Sequence, residues 1–283
     1  MTVSYDWTFD SGNTQQAINP VTEPAGANAA AQQALTESVG PAPAPPIPND
    51  SVVTLPVGTD IDGQLVRDAE IRELTGEDEE AIAKVATNSR EFFNVLLNRG
   101  VTRIGTNAPT PELLDQLYIG DADALLLAIR VATFGNKLEM TNVRCPNCDE
   151  RIDVTIDLAT VPQRGLPPQP HKVDLRTGST AYVKFPKRAD QAYILADPDS
   201  SDAHRNTLLL ERCLDRVEAP DGTVTQGSLN VARRMGIADR RTILLYLADN
   251  APGPELAGIS VEHAGCGKEI PLPLTLTDCF LSL

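Results

Sequence analysis

No run of eighteen apolar residues occurs in this chain, which argues against a membrane-spanning helix. No basic-then-apolar leader follows Met1, so a protein without a secretory signal is expected. Catalytic signatures are missing too. There is no Gly-rich phosphate loop, no Gly-x-Ser-x-Gly elbow and no His-Glu-x-x-His. Histidine is scarce, with only His171, His204 and His263. The contexts of His171 and His204 are polar and loop-like, so both are expected at the surface. Aromatic residues make up 4% of the 283 positions, so the core has few large side chains and a metal cross-link would help it. Basic residues are outnumbered by acidic ones, 24 against 39, for a net charge of −15. That balance disfavours electrostatic binding to nucleic acid or anionic membrane, because neutralising phosphates needs clustered Lys and Arg. Five cysteines are an odd number and do not suggest a disulfide framework. A reducing cytoplasm during folding is expected.

The cysteines that are present fall into a pattern. Arg144-Cys145-Pro146-Asn147-Cys148-Asp149-Glu150 carries two thiols separated by two residues, and His263-Ala264-Gly265-Cys266-Gly267-Lys268-Glu269 carries an imidazole and a thiol at the same spacing. A tight turn at that spacing aims both side chains at one ion. Zinc prefers four such ligands in a tetrahedron, so Cys145, Cys148, His263 and Cys266 form a candidate Cys3His structural zinc site. Strand-like sequence flanks each half: Leu138 to Val143 and Ile152 to Ile156, then Ile259 to Glu262 and Ile270 to Leu274. Two zinc knuckles at hairpin tips are expected. The long separation is tolerable because each doubling of a loop costs only about 0.6 kcal/mol, so a folded insertion can sit between them. Four soft ligands leave no position for a catalytic water. A redox role for Cys145 and Cys148 lacks the thioredoxin-like strand–motif–helix context. Cys213 and Cys279 remain as expected buried thiols.

Residues 1–60 differ from the rest. From Ile18 to Asp50 the sequence is rich in Ala, Pro, Gln, Asn and Gly, and the first fifty residues contain no Lys or Arg. Too little apolar surface is available there to offset chain entropy, so a Pro-rich tether is expected over 1–60. Its tip, Tyr5, Trp7 and Phe9, alternates with polar residues and suits an extended peptide that adds to a partner's sheet edge; chance aromatics in a disordered terminus are the alternative. The globular part is expected over 61–283. Gln64 to Leu74 reads as a strand. Thr75 caps one long helix carrying Ile82, Val85, Phe92, Phe93, Leu96 and Leu97 and ending near Gly100. Thr110-Pro111 opens the next helix, and Asp121 to Phe134 is apolar nearly all round, so it should be central and buried. Arg130 within it either snorkels to solvent or pairs in the interior. Strands follow at His171 to Leu175 and Ala181 to Phe185, then helices at Ala189 to Leu195, Ala203 to Val217, Leu229 to Met235 and Ala238 to Ala248. The apolar ending from Leu272, with Phe280, either tucks into the core or is buried in a partner. The sum is an α+β fold: a helical core, β-hairpins and a zinc-ribbon-like site made by two distant knuckles.

Several runs in this order resemble a known family. They are Arg67-Asp-Ala-Glu-Ile-Arg-Glu-Leu-Thr-Gly-Glu-Asp-Glu-Glu80, Leu126-Leu-Ala-Ile-Arg-Val-Ala-Thr-Phe-Gly135, Cys145-Pro-Asn-Cys148 and the late knuckle. Together they look like the T-even-type phage baseplate hub assembly family, found in contractile phage tails and phage-derived contractile injection systems. The resemblance covers roughly 64–283 and leaves out the tether. It implies a non-enzymatic assembly factor, or chaperone, or a minor structural component that binds other baseplate and hub proteins. Work in the bacterial host cytoplasm, with retention in the particle as an option, would follow. Members often carry Cys-x-x-Cys at the second knuckle, and His263 stands at the first of those positions. From the residues, the partner contacts are assigned to Tyr5, Trp7, Phe9 and Phe280. Two other functions compete: a zinc-ribbon module for nucleic-acid binding or regulation, and a metalloenzyme with an open zinc position.

Overall fold

The computed structural model describes residues 52–85 and 89–280. Residues 1–51, including Tyr5, Trp7 and Phe9 and most of the expected tether, lie outside the described residues. The chain opens with β1 (Val52–Ile61), which pairs antiparallel with β2 (Gln64–Ile71) through Asp62-Gly63. Both turn residues have positive φ, 53° and 79°, as a two-residue hairpin of primed type requires. The register shifts between Thr54 and Thr59. Asp121, fully buried, fills that irregularity by accepting the N–H groups of Val57 (2.8 Å) and Gly58 (3.0 Å). Gly58 (φ +91°) has no room for a side chain there, since a Cβ would sit 2.6 Å from the Val66 carbonyl oxygen.

Helix α1 (Gly76–Ala83) begins at a capping box in which Asp78 accepts the Thr75 N–H at 2.8 Å. Then come α2 (Ser89–Gly100), β3 (Val101–Ile104), α3 (Pro111–Gln116) and α4 (Ile119–Phe134). Strand β3 joins β2 to complete a three-stranded sheet. Helix α4 is apolar all round and central: Leu125, Leu126, Leu127 and Ile129 are buried. Arg130 is buried in the interior, not snorkelling. It donates from Nε to the Cys279 carbonyl (2.7 Å) and from Nη1 to the Gly135 carbonyl (3.0 Å). A hairpin follows, β4 (Lys137–Arg144) with β5 (Arg151–Asp157).

The next stretch is an insertion with its own core. Strand β6 (Gln163–Arg164) leads into β7 (His171–Asp174), β8 (Thr180–Val183), α5 (Arg188–Ile194), α6 (Asp202–Cys213), β9 (Leu214–Glu218), β10 (Val224–Gln226), α7 (Leu229–Arg234), α8 (Ile237–Asp249) and β11 (Gly253–Pro254). Strands β7 to β10 form a sheet of order β10-β9-β8-β7. Ala181, Val183, Phe185, Leu210, Ile243 and Leu247 fill the cluster beneath it. β11 pairs with β6 and so closes the insertion at its base. That base rests on α4, where Gly120 allows the chain to pass: a Cβ would lie 1.9 Å from the Pro252 carbonyl oxygen. The chain then returns to the first core through β12 (Ser260–His263), β13 (Lys268–Pro271) and α9 (Leu276–Cys279). The architecture is mixed α and β, with nine helices and several small antiparallel sheets among the described residues. No helix among them is long and apolar enough to cross a membrane.

Some expectations are corrected. The tether cannot run to residue 60, because β1 starts at Val52; Pro56 falls within the irregular part of that strand, where a ladder N–H is not required. The single helix expected from 76 to 100 is two, α1 and α2. The first ends at Ala83 with Lys84 at its C-cap, and the second opens at Ser89, a residue type that favours helix ends over interiors. The helix expected to reach Val217 stops at Cys213, because Leu214–Glu218 pairs with β8; tertiary pairing overrides local helical preference there. His171 is 6% exposed, its ring edge-on to Phe185 with centroids 5.1 Å apart, so it is not a surface residue. Phe280 is in the core, 4% exposed and edge-on to Phe92 and Phe93. Leu272, Leu274 and Cys279 are buried in the same cluster, so the described part of the apolar ending takes the core alternative.

Candidate metal centre

The two knuckles meet. β4 and β5 carry Cys145 and Cys148 at their tip, and β12 and β13 carry His263 and Cys266 at theirs. Each turn is closed by backbone bonds: the Cys145 N–H donates to the Glu150 carbonyl (2.8 Å) and the Gly267 N–H to the His263 carbonyl (2.8 Å). Asp149 and Gly267 both have φ of 63°, the left-handed conformation that lets a short turn reverse. The Val261 and Ile270 pair on one hairpin and Val154 and Ile156 on the other carry the tips on the first core's apolar surface.

The ligand atoms lie within 4.8 Å of one another. Cys145 Sγ is 3.8 Å from Cys266 Sγ. His263 Nδ1 is 3.4 Å from Cys148 Sγ and 3.2 Å from Cys266 Sγ. A tetrahedral zinc ion with bonds of about 2.3 Å to sulfur and about 2.05 Å to nitrogen requires edges of about 3.8 Å between sulfurs and about 3.5 Å between sulfur and nitrogen. The three observed separations lie within about 0.3 Å of those edges, so the residues present fit such an ion. Cys145 and His263 are buried, Cys266 is half-buried, and Cys148 is exposed.

Electrostatics also suit a metal. Burial of Cys145 opposes the thiolate, but the backbone N–H groups of Asn147 and Cys148 and the neighbouring thiols outweigh it and bring the group down to about 6. For Cys148 the Glu150 N–H favours the thiolate, while burial and the Cys145 sulfur push the group up. Three crowded thiols repel once ionised, and a divalent cation relieves that repulsion. Sequence reasoning missed one participant. Glu150 Oε2 lies 3.4 Å from His263 Nε2, on the side of the ring away from the sulfurs that Nδ1 faces, the place of an outer carboxylate that orients a ligating imidazole. Its position next to the first knuckle was the available signal. Gly265 is part of the same arrangement, because a Cβ there would sit 2.9 Å from Glu150 Oε2 and 3.0 Å from the His263 ring. Cys213 and Cys279 are elsewhere and buried; burial pushes the Cys213 thiol up to about 12 and raises that of Cys279.

No curated protein matches the chain, and no solved structure matches it. Residues 50–269 match the family described as T4 bacteriophage base plate protein. That span takes in most of the first core, the insertion and all four candidate ligands, and at well over half of the 283 residues it establishes that the chain belongs to this baseplate family.

Proposed function

We propose that the protein is a non-enzymatic component of the baseplate hub, acting as an assembly factor or minor structural subunit of a contractile phage tail or a related injection machine. The family match over 50–269 is the observation that carries this reading. Within it, Cys145, Cys148, His263 and Cys266 hold one structural zinc. The ion's contribution is a cross-link; with four protein ligands it has no vacancy for a substrate or water, which supports a scaffold over a metalloenzyme. The nucleic-acid reading is not favoured by a net charge of −15. Tyr5, Trp7 and Phe9 are assigned to protein contacts, and assembly takes place in the host cytoplasm. Deleting the gene should abolish sheathed, baseplate-bearing particles, and normal particle yield would reject the hub role. Metal analysis of the purified protein should return about one zinc per chain, independently of any assembly assay.

A further inference from the structure

The insertion carries a surface feature that the metal centre does not use. An apolar groove of about 460 Å3 lies between the β9–β10 hairpin and the α7–α8 corner, lined by Leu175, Val217, Val231 and Met235 with Thr225 and Arg234. Exposed apolar side chains adjoin it in the chain: Val224 is 50% exposed and Ile237 is 86% exposed. Ile237, Arg241 and Leu245 are spaced four apart on α8 and share one face, while Ile243 and Leu247 fill the core on the other. An isoleucine left in water forgoes the favourable burial of its side chain. β10 is the outer strand of its sheet with β9 as its neighbour, an edge that can accept another strand.

Charge defines what fits. Between Gln226 and Leu245 there are four arginines, Arg233, Arg234, Arg240 and Arg241, against one acid, Asp239. Asp239 is buried and accepts the Arg176 N–H, and Arg240 donates to the Ala232 carbonyl and Thr207. Arg233, Arg234 and Arg241 stay exposed, whereas the β9–β10 hairpin carries Asp215, Glu218 and Asp221; the positive charge therefore belongs to the helical wall of the groove, in a chain of net charge −15. The complement is an extended segment with apolar side chains at alternate positions and acids between them. Ser4-Tyr5-Asp6-Trp7-Thr8-Phe9-Asp10 is such a segment, and no Lys or Arg occurs in the first fifty residues. The stretch from Ser11 to Ser51, at up to ~3.5 Å per residue, is long enough to reach an adjacent subunit.

We infer that residues 4–10 of one copy add to the β10 edge of a neighbouring copy, with the aromatic side chains in its groove and the segment's negative charge drawn toward the exposed arginines of the α7–α8 corner. The contact is heterologous, so it links copies into a ring or a chain. Trp7 is the only tryptophan, so its emission reports this contact alone. Two full-length variants are mixed: Trp7→Phe with the groove intact, and a chain that keeps Trp7 but carries Arg234→Glu, Arg241→Glu and Ile237→Asp. These surface changes leave both cores untouched, and circular dichroism checks that. The second variant alone should emit as a water-exposed indole. Adding the first should shift the emission to shorter wavelength in a saturable way, and high salt should reverse the shift. Asp6→Lys with Asp10→Lys should restore concentration-dependent association to the charge-reversed groove. An unchanged spectrum across the titration overturns the inference. So does a shift already complete in the groove-broken variant alone, which would place Trp7 on another surface.

Discussion

Stripping the metal is the perturbation with the most to tell. Cys145 and Cys266 are 121 positions apart in sequence, yet their sulfurs lie 3.8 Å apart. A cross-link between them closes a loop of that length in the unfolded chain. The chain-entropy relation for a covalent bridge gives about 5 kcal/mol at 25 °C for such a loop. Unfolded chains retain some affinity for metal, which reduces the effect, so the expected loss on demetallation is about 3–5 kcal/mol. Domains of this kind are stable by only about 5–15 kcal/mol. Equilibrium unfolding in urea, followed by circular dichroism with and without a tight chelator, measures the difference. The midpoint should fall sharply with chelator and return when zinc is added back. Cys148→Ala should lower the midpoint and make it insensitive to chelator, whereas Cys213→Ala, far from the ligand set, should leave the chelator response intact. A wild-type protein whose midpoint does not move on demetallation would refute the staple.

Glu150→Gln removes the charge that orients His263 (Oε2 to Nε2, 3.4 Å) and should weaken zinc binding by about 10–100-fold in competition with a chromogenic chelator; Gly265→Ala should do likewise, because its Cβ intrudes between those two groups. Asp121→Ala leaves the N–H groups of Val57 and Gly58 buried without acceptors, and a loss of about 2–4 kcal/mol is expected by denaturant unfolding. The last prediction concerns acid. Burial pushes the Asp78 carboxyl up, but the Arg72 guanidinium and the Thr75 N–H and hydroxyl outweigh it and hold the group at about 2, against 3.8 unperturbed. A carboxyl depressed in the folded state stabilises above its unfolded value and loses that contribution as pH falls through the folded one. The stability of wild type relative to Asp78→Asn should therefore shrink between about pH 4 and about pH 2, read from paired thermal melts.

The clustering of the four candidate ligands was legible because their chemistry is written in residue type and spacing. Cys145, Cys148, His263 and Cys266 needed no knowledge of packing, only that two pairs at equal spacing sit in hairpin-like sequence. Helices with strong local signals were also readable: Thr110-Pro111 opens α3, and the all-round apolar run of α4 announces a buried helix. What failed was decided by distant partners. Strand β1 looked like the end of a Pro-rich stretch, and only its pairing with β2 and its two bonds to Asp121 make it a strand. Asp62-Gly63 was the overlooked signal. Leu214–Glu218 reads as the last turn of a helix until β8 lies beside it. His171 looked polar and exposed because the ring it packs against, Phe185, is fourteen residues away. Arg130 illustrates a different limit: its acceptors are backbone carbonyls of Gly135 and Cys279, and carbonyls leave no mark in a sequence.

Because the first core is built from both flanks of the insertion, synthesis imposes an order on it. Cys145 and Cys148 leave the ribosome long before His263 and Cys266. At about 5–20 residues per second, the wait between the pairs is roughly 6–24 s. The inserted module, whose sheet and helices are contiguous, can finish folding in that interval. The exposed half-site meanwhile stands open with two thiols ready, and the late hairpin arrives to a surface already formed, acting as the latch that commits the molecule.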